Sequence, residues 1–270
     1  MKEIFTLIAV AIACTGCGDN LAGPGTHSLS PPGSLAAFSA DSTHVHLSWT
    51  PPAVASDTTF RGYVVSWGIT SDTIPAASSF IAGPLVHTAI PFVIRSILKD
   101  GQVSSSVTIT WAGAWRFDSP ITLTEYYPTI QTGAPGMSAG TSTTDPRVVQ
   151  MLDPDAGTTL DFYLYGLAGA PLNLVSAAGY DRGWHQTVFS TTTTSSPDLN
   201  APLAAFPPDN TFTQPTAIVA GNTIYYAKIP GNSGQIYYVR IHVQDLGGTY
   251  PNRQIGVRIS LQRISGLPYA

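Results

Sequence analysis

Charge is scarce in this chain. Asp, Glu, Lys and Arg make up only 10 % of its 270 residues, against about a quarter in an ordinary globular protein. The 12 basic residues are scattered and the net charge is -4, which excludes the basic stripe that nucleic-acid binding requires. Cysteine is almost missing: Cys14 and Cys17 are the two present, so the chain beyond residue 17 has no disulfide framework, thiolate metal site or nucleophilic thiol. No run approaches the roughly 18 apolar residues of a membrane-spanning helix. There is no Gly-x-Ser-x-Gly elbow, phosphate-binding loop, dinucleotide fingerprint or His-Glu-x-x-His pair. These absences point away from an enzyme, and nothing calls for a cofactor or a metal.

What is present is β-forming. Hydrophobic residues reach 43 %, and 22 prolines and 25 glycines punctuate the chain too often for long helices. Ser and Thr supply the polar surface, a composition typical of secreted all-β proteins. The N-terminus has a different character. Met1-Lys2-Glu3 precedes an apolar run, Ile4 to Ala13, followed by Cys14-Thr15-Gly16-Cys17. A charged start, a short apolar run and small residues make a secretory signal. Its ending resembles a bacterial lipobox, which implies lipidation at Cys17, or at Cys14 in the alternative register. A Cys-x-x-Cys redox or zinc reading does not suit a pair that ends a hydrophobic run. Residues 1–17 are thus read as signal and residues 18–34, rich in Gly, Pro and Ser, as a flexible tether. The expected location is beyond the inner membrane of a bacterium, lipid-anchored in the outer membrane or on the cell surface. The membrane would then be one partner, engaged through the N-terminal lipid, with protein or glycan partners besides and no nucleic acid.

The next stretch alternates. Val45, Leu47 and Trp49 interleave with His46 and Ser48, and Tyr63, Val65 and Trp67 interleave with Val64 and Ser66. Each trio can face one core, because strand side chains switch faces every residue. Further strands are expected at 86–90, 92–98 and 103–111, with turns at Thr50-Pro51-Pro52, Ala82-Gly83-Pro84 and Lys99-Asp100-Gly101. Pro31-Pro32-Gly33-Ser34-Leu35, Leu47-Ser48-Trp49-Thr50-Pro51-Pro52 and Gly62-Tyr63-Val64-Val65-Ser66-Trp67 together resemble a fibronectin type III domain over residues 30–112. Ile90-Pro91-Phe92 stands where that family carries its tyrosine corner. The resemblance implies an interaction module or spacer. His44 and His46 share a face on this reading and would need a third ligand to hold a metal; two solvated polar residues explain them as well.

Residues 115–270 read as a larger antiparallel β-sandwich, joined to the first by a short hinge or by a strand that runs on. Leu160, Phe162 and Leu164 share a face, which leaves Asp161 solvated. The strand runs 223–229 and 235–243 flank Pro230-Gly231-Asn232-Ser233-Gly234 and form a hairpin. Asp153-Pro154-Asp155-Ala156-Gly157 lacks the later acids of a calcium loop and reads as a turn. In the second hairpin strand Tyr237, Val239, Ile241 and Val243 face in; Arg240 and His242 face out, as do Arg258 and Ser260 in the last strand. On this reading Arg240→Leu is mild and Ile241→Asp severe. The Ile-Tyr-Tyr…Ile-Tyr-Tyr-Val-Arg-Ile pattern is weakly similar to haemophore-like surface lipoproteins, which implies a ligand held through histidines. Trp184, His185 and His242 are therefore the candidate ligand-binding residues. Glu125, Asp161, Asp181, Asp198 and Asp245 are the few carboxylates available for paired chemistry. The irregular stretches 129–145 and 191–215 are where a site would sit. The functional expectation is a non-catalytic envelope lipoprotein serving binding, adhesion or structure. The alternative is a sandwich that captures haem or carbohydrate in its C-terminal loops.

Overall fold

A computed structural model describes residues 29–126, 136–140, 145–149, 159–180, 186–231 and 234–270. Cys14, Cys17, Trp184, His185, Asp181 and the 153–157 turn lie outside the described residues.

The alternating stretches become β1 (Gly33–Ser39), β2 (Val45–Thr50), β3 (Phe60–Trp67), β4 (Thr70–Ile74), β5 (Ser79–Ala82), β6 (Ile90–Leu98) and β7 (Val107–Trp111). They form two antiparallel sheets, ordered β1-β2-β5 and β4-β3-β6-β7. This is the strand order of a fibronectin type III-like sandwich. Val45, Leu47, Trp49, Tyr63, Val65 and Trp67 are all buried between the sheets. Trp49 stands edge-on to Tyr63 at 5.1 Å, and Trp67 meets Phe80 of the opposite sheet at 5.6 Å. Three local expectations change. Residues 86–89 connect strands and Val86 is exposed; β6 starts at Ile90; β7 starts at Val107, while Val103 makes one isolated bridge to Ile97. Residues 68–84, where no strand was expected, hold β4 and β5. β4 is an edge strand with polar residues on both faces, so no alternation marks it.

The second body contains β8 (Trp115–Thr124), β9 (Gly136–Ser138), β10 (Arg147–Val149), β11 (Phe162–Tyr165), β12 (Asn173–Ser176) and β13 (Val188–Ser195). It continues with β14 (Phe212–Gln214), β15 (Thr216–Ile218), β16 (Thr223–Pro230), β17 (Ile236–Gly247) and β18 (Gln254–Leu261). One sheet runs β14-β13-β16-β17-β18-β8 and the other β10-β9-β11-β12-β15. The hairpin is β16–β17, from Thr223 opposite Val243 to Pro230 opposite Ile236. Tyr237, Val239, Ile241, Val243, Ile255, Val257, Ile259 and Leu261 fill the core between the sheets. Asp161 is buried rather than solvated. It caps that core's edge by accepting the Ala139 N–H on Oδ2 at 2.8 Å, so its desolvation is offset by a hydrogen bond.

No hinge separates the two bodies. Ala112, Gly113 and Ala114 are buried between β7 and β8. A Cβ on Gly113 would lie 2.4 Å from the Ser42 carbonyl oxygen, so only glycine lets the backbones approach this closely. Of residues 191–215, expected to be irregular, 191–195 belong to β13 and 212–214 to β14, while residues 196–211 form a strap. Leu203 pairs with Ala37 through two backbone hydrogen bonds and adds a short stretch to the free edge of β1. Further along, Phe206 meets Trp111 of the first sandwich at 6.4 Å and Tyr226 and Tyr238 of the second at 5.5 and 5.8 Å. One hydrophobic cluster consequently runs from the first sandwich through the strap into the outer face of the six-stranded sheet.

Candidate functional site

The outer face of the six-stranded sheet carries the polar residues that alternation assigned to the outside. Register brings them together. Tyr226 of β16 lies opposite Arg240 of β17, Arg240 opposite Ser260 of β18, and Ser260 opposite Arg116 of β8. The next rung holds Ile224, His242 and Arg258. The face assignment holds, but its consequence differs. Arg240, His242 and Ser260 are fully buried, because the first sandwich and the strap cover this face. Arg240 donates from Nη2 to the Ala201 carbonyl at 3.0 Å and lies over the Tyr226 ring. Burial, with Arg116 nearby, draws its pKa down to about 10, so it remains charged at neutral pH.

His242, a candidate ligand-binding residue from sequence, is sealed beneath this cover. Its Nε2–H donates to the Ser196 carbonyl at 3.0 Å, which leaves Nδ1 as the unprotonated nitrogen. Burial lowers its pKa, and the charges of Arg258 and Arg240 add to the effect. His44 and His46 have separate partners. The His44 ring is held by the Asp41 carboxylate at 2.9 Å, while His46 stacks on Phe38 at 4.7 Å. Among the described residues no group of three or more His, Cys, Asp or Glu is arranged to hold a metal. Of the carboxylates proposed for paired chemistry, Glu125 is fully buried and takes both a 2.8 Å hydrogen bond from Arg253 Nε and a second from Nη2. It is a structural ion pair.

Where the cover stops short, a cleft of about 670 Å³ opens between the bodies. The first sandwich contributes Phe38 from β1, His46 from β2 and Ile81 from β5. The second contributes Arg116 and Asp118 from β8 and Arg258 from β18. The strap contributes Asp198 and Asn200. Arg116 bonds Asn200 Oδ1 and Asp118 Oδ1, both at 2.7 Å. Asp198 in turn accepts the Asn200 backbone N–H at 2.7 Å and its side-chain amide at 3.0 Å. Arg258 has no hydrogen-bond or ion-pair partner among the described residues, and its Nε is buried. Six buried polar atoms without a protein partner cluster on the cleft and the face beneath it: His46 Nδ1, Arg116 Nε, Arg240 Nε, His242 Nδ1, Arg258 Nε and Ser260 Oγ. Such atoms are rare in folded proteins and call for water, an ion or another polar group beside them; three of the six, on His46, Arg116 and Arg258, belong to residues that line the cleft.

Sequence reasoning reached Asp198 and Arg258 only singly, and His46 only as half of a metal pair. It missed Phe38, Arg116, Asp118 and Asn200. The one available signal was the polar alternation shared by three strands, since nothing local predicts their register. No family model matches the chain, and no curated protein matches it. Among solved structures, the chain resembles the solution structure of the fibronectin type III domain of the human collagen alpha-1(XX) chain, with 24 % identity and a TM-score of 0.29. The match covers 35 % of this chain and 93 % of that one.

Proposed function

We propose that the protein is a non-catalytic cell-envelope lipoprotein of a bacterium that holds a double β-sandwich on a lipid-anchored tether as a binding module. The observation that carries the binding reading is the cleft. It is built jointly by both sandwiches and the strap, and three of its lining residues, His46, Arg116 and Arg258, carry a nitrogen that no protein group pairs. The core that runs through both bodies keeps its two walls in fixed relation. The anchor reading is supported by the apolar run ending at Cys14 and Cys17 and by the Pro- and Gly-rich segment after it. Metabolic labelling with an alkyne palmitate analogue tests the anchor. The chain should take up label and sediment with membranes, and Cys14→Ala with Cys17→Ala should abolish both. An unlabelled parent chain, or label that survives both substitutions, contradicts it.

A further inference from the structure

We infer that the cleft between the sandwiches binds an acidic carbohydrate, with the carboxylate of a uronic-acid residue seated on Arg258. This deepens the binding-module reading and rests on it. The charges in the cleft lead to the ligand. Asp118 pairs with Arg116, while Asp198 takes two hydrogen bonds from the neutral Asn200 and its charge acts on Arg240 and His242 beneath the cleft. Arg258 is left as a guanidinium without an internal partner, and the buried, charged Arg240 lies one rung away on the adjacent strand. The uncommitted group is thus a planar fork of donors, whose natural complement is a carboxylate bound through two parallel hydrogen bonds.

The rest of the cleft suits a sugar ring. The His46 ring, backed by Phe38, supplies a flat surface for the apolar face of a pyranose, and Ile81 extends that surface at the rim. The Asp118 and Asp198 carboxylates keep acceptor capacity beyond their present bonds, as sugar hydroxyl donors require. The volume falls within the range of roughly 300–1,000 Å³ typical of small-molecule sites.

The test is calorimetric titration of the full chain with galacturonate and glucuronate oligomers. The matched neutral galactose and glucose oligomers and a glutamate-rich peptide serve as the other arms. Saturable binding of a uronate oligomer, weakened at least tenfold in its neutral counterpart and in Arg258→Gln, is expected for the loss of a charge-assisted pair. Ile81→Glu places another carboxylate at the rim from an exposed position without disturbing a core and should also weaken uronate binding at least tenfold. An exposed-site control, Arg61→Gln, should bind as the parent does. No uronate binding by the folded parent chain overturns the proposal, as does equal affinity for neutral and acidic oligomers. Arg258-dependent binding of the peptide alone overturns the sugar assignment while leaving the binding-module reading in place. Loss of membrane labelling leaves the cleft untouched, so the two readings fail separately.

Discussion

At the scale of single residues, position on a strand decides which face a side chain joins, and the neighbouring body decides what that face costs. Ile241 and Arg240 are adjacent in sequence, and both are buried. Ile241 lies in an apolar core, so Ile241→Asp places an unpaired carboxylate there and should cost more than about 4 kcal/mol, enough to unfold the chain in a denaturant titration. Arg240 is a desolvated charge with a single hydrogen bond from Nη2 and a ring beneath it. Replacing it with Met, similar in shape and free of desolvation, should leave the denaturation midpoint unchanged or raise stability by roughly 1–4 kcal/mol. The mildness expected for Arg240→Leu is therefore retained for a different reason: an apolar side chain relieves a buried charge instead of replacing a solvated one.

Histidine sets a pH dependence at the same scale. Burial lowers the pKa of both His46 and His242 below the usual value near 6.5. Between the folded and unfolded values the unfolded chain binds more protons, so stability rises with pH. Folding free energy should be level above about pH 6.5 and fall as the pH drops below it. For His242 the facing charges are Arg240, Arg258 and Asp198, and the two arginines outweigh the carboxylate in this direction. His242→Gln should flatten part of the slope when urea midpoints are compared between pH 5 and pH 7.5. An unchanged slope places the titrating group elsewhere.

At the scale of elements, the strap shows where sequence signals end. Strands with one apolar face were legible: β2 and β3 by their trios, β17 and β18 by long alternation. β4 was not, since an edge strand exposed on both faces has no period to read. Residues 196–211 carry Pro, Ala, Asp and Asn and look like a loop because they have no apolar period and the partners that anchor them are distant in sequence. Leu203 finds Ala37 at a separation of 166 positions, and Phe206 finds Trp111, Tyr226 and Tyr238. The cleft was illegible for the same reason: its residues come from five strands and the strap, and register alone assembles them. Phe206→Ala tests the strap. Loss of a large buried ring should cost about 3–5 kcal/mol. Amide exchange at Leu203 should accelerate while the β16–β17 ladder stays protected. Equal protection in the variant contradicts the anchoring role.

At the scale of the whole molecule, the two sandwiches share one hydrophobic cluster. Trp111, Phe206, Tyr226, Tyr238 and Ala270 belong to one hydrophobic cluster. Ser39 Oγ accepts from Trp111 Nε1 at 3.2 Å and donates to the Ala112 carbonyl, and Gln262 donates to the Gly113 carbonyl at 3.0 Å. Tandem domains ordinarily meet through modest polar interfaces and move independently; here, separation would open a continuous core. The cleft depends on that fusion, since each wall alone is a shallow surface. Differential scanning calorimetry of the intact chain tests this most directly. One transition, with calorimetric and van't Hoff enthalpies equal, is the result expected of a shared core. Two resolved transitions, or a van't Hoff enthalpy well below the calorimetric one, would mean that the sandwiches unfold separately and that the cleft between them is not a fixed site.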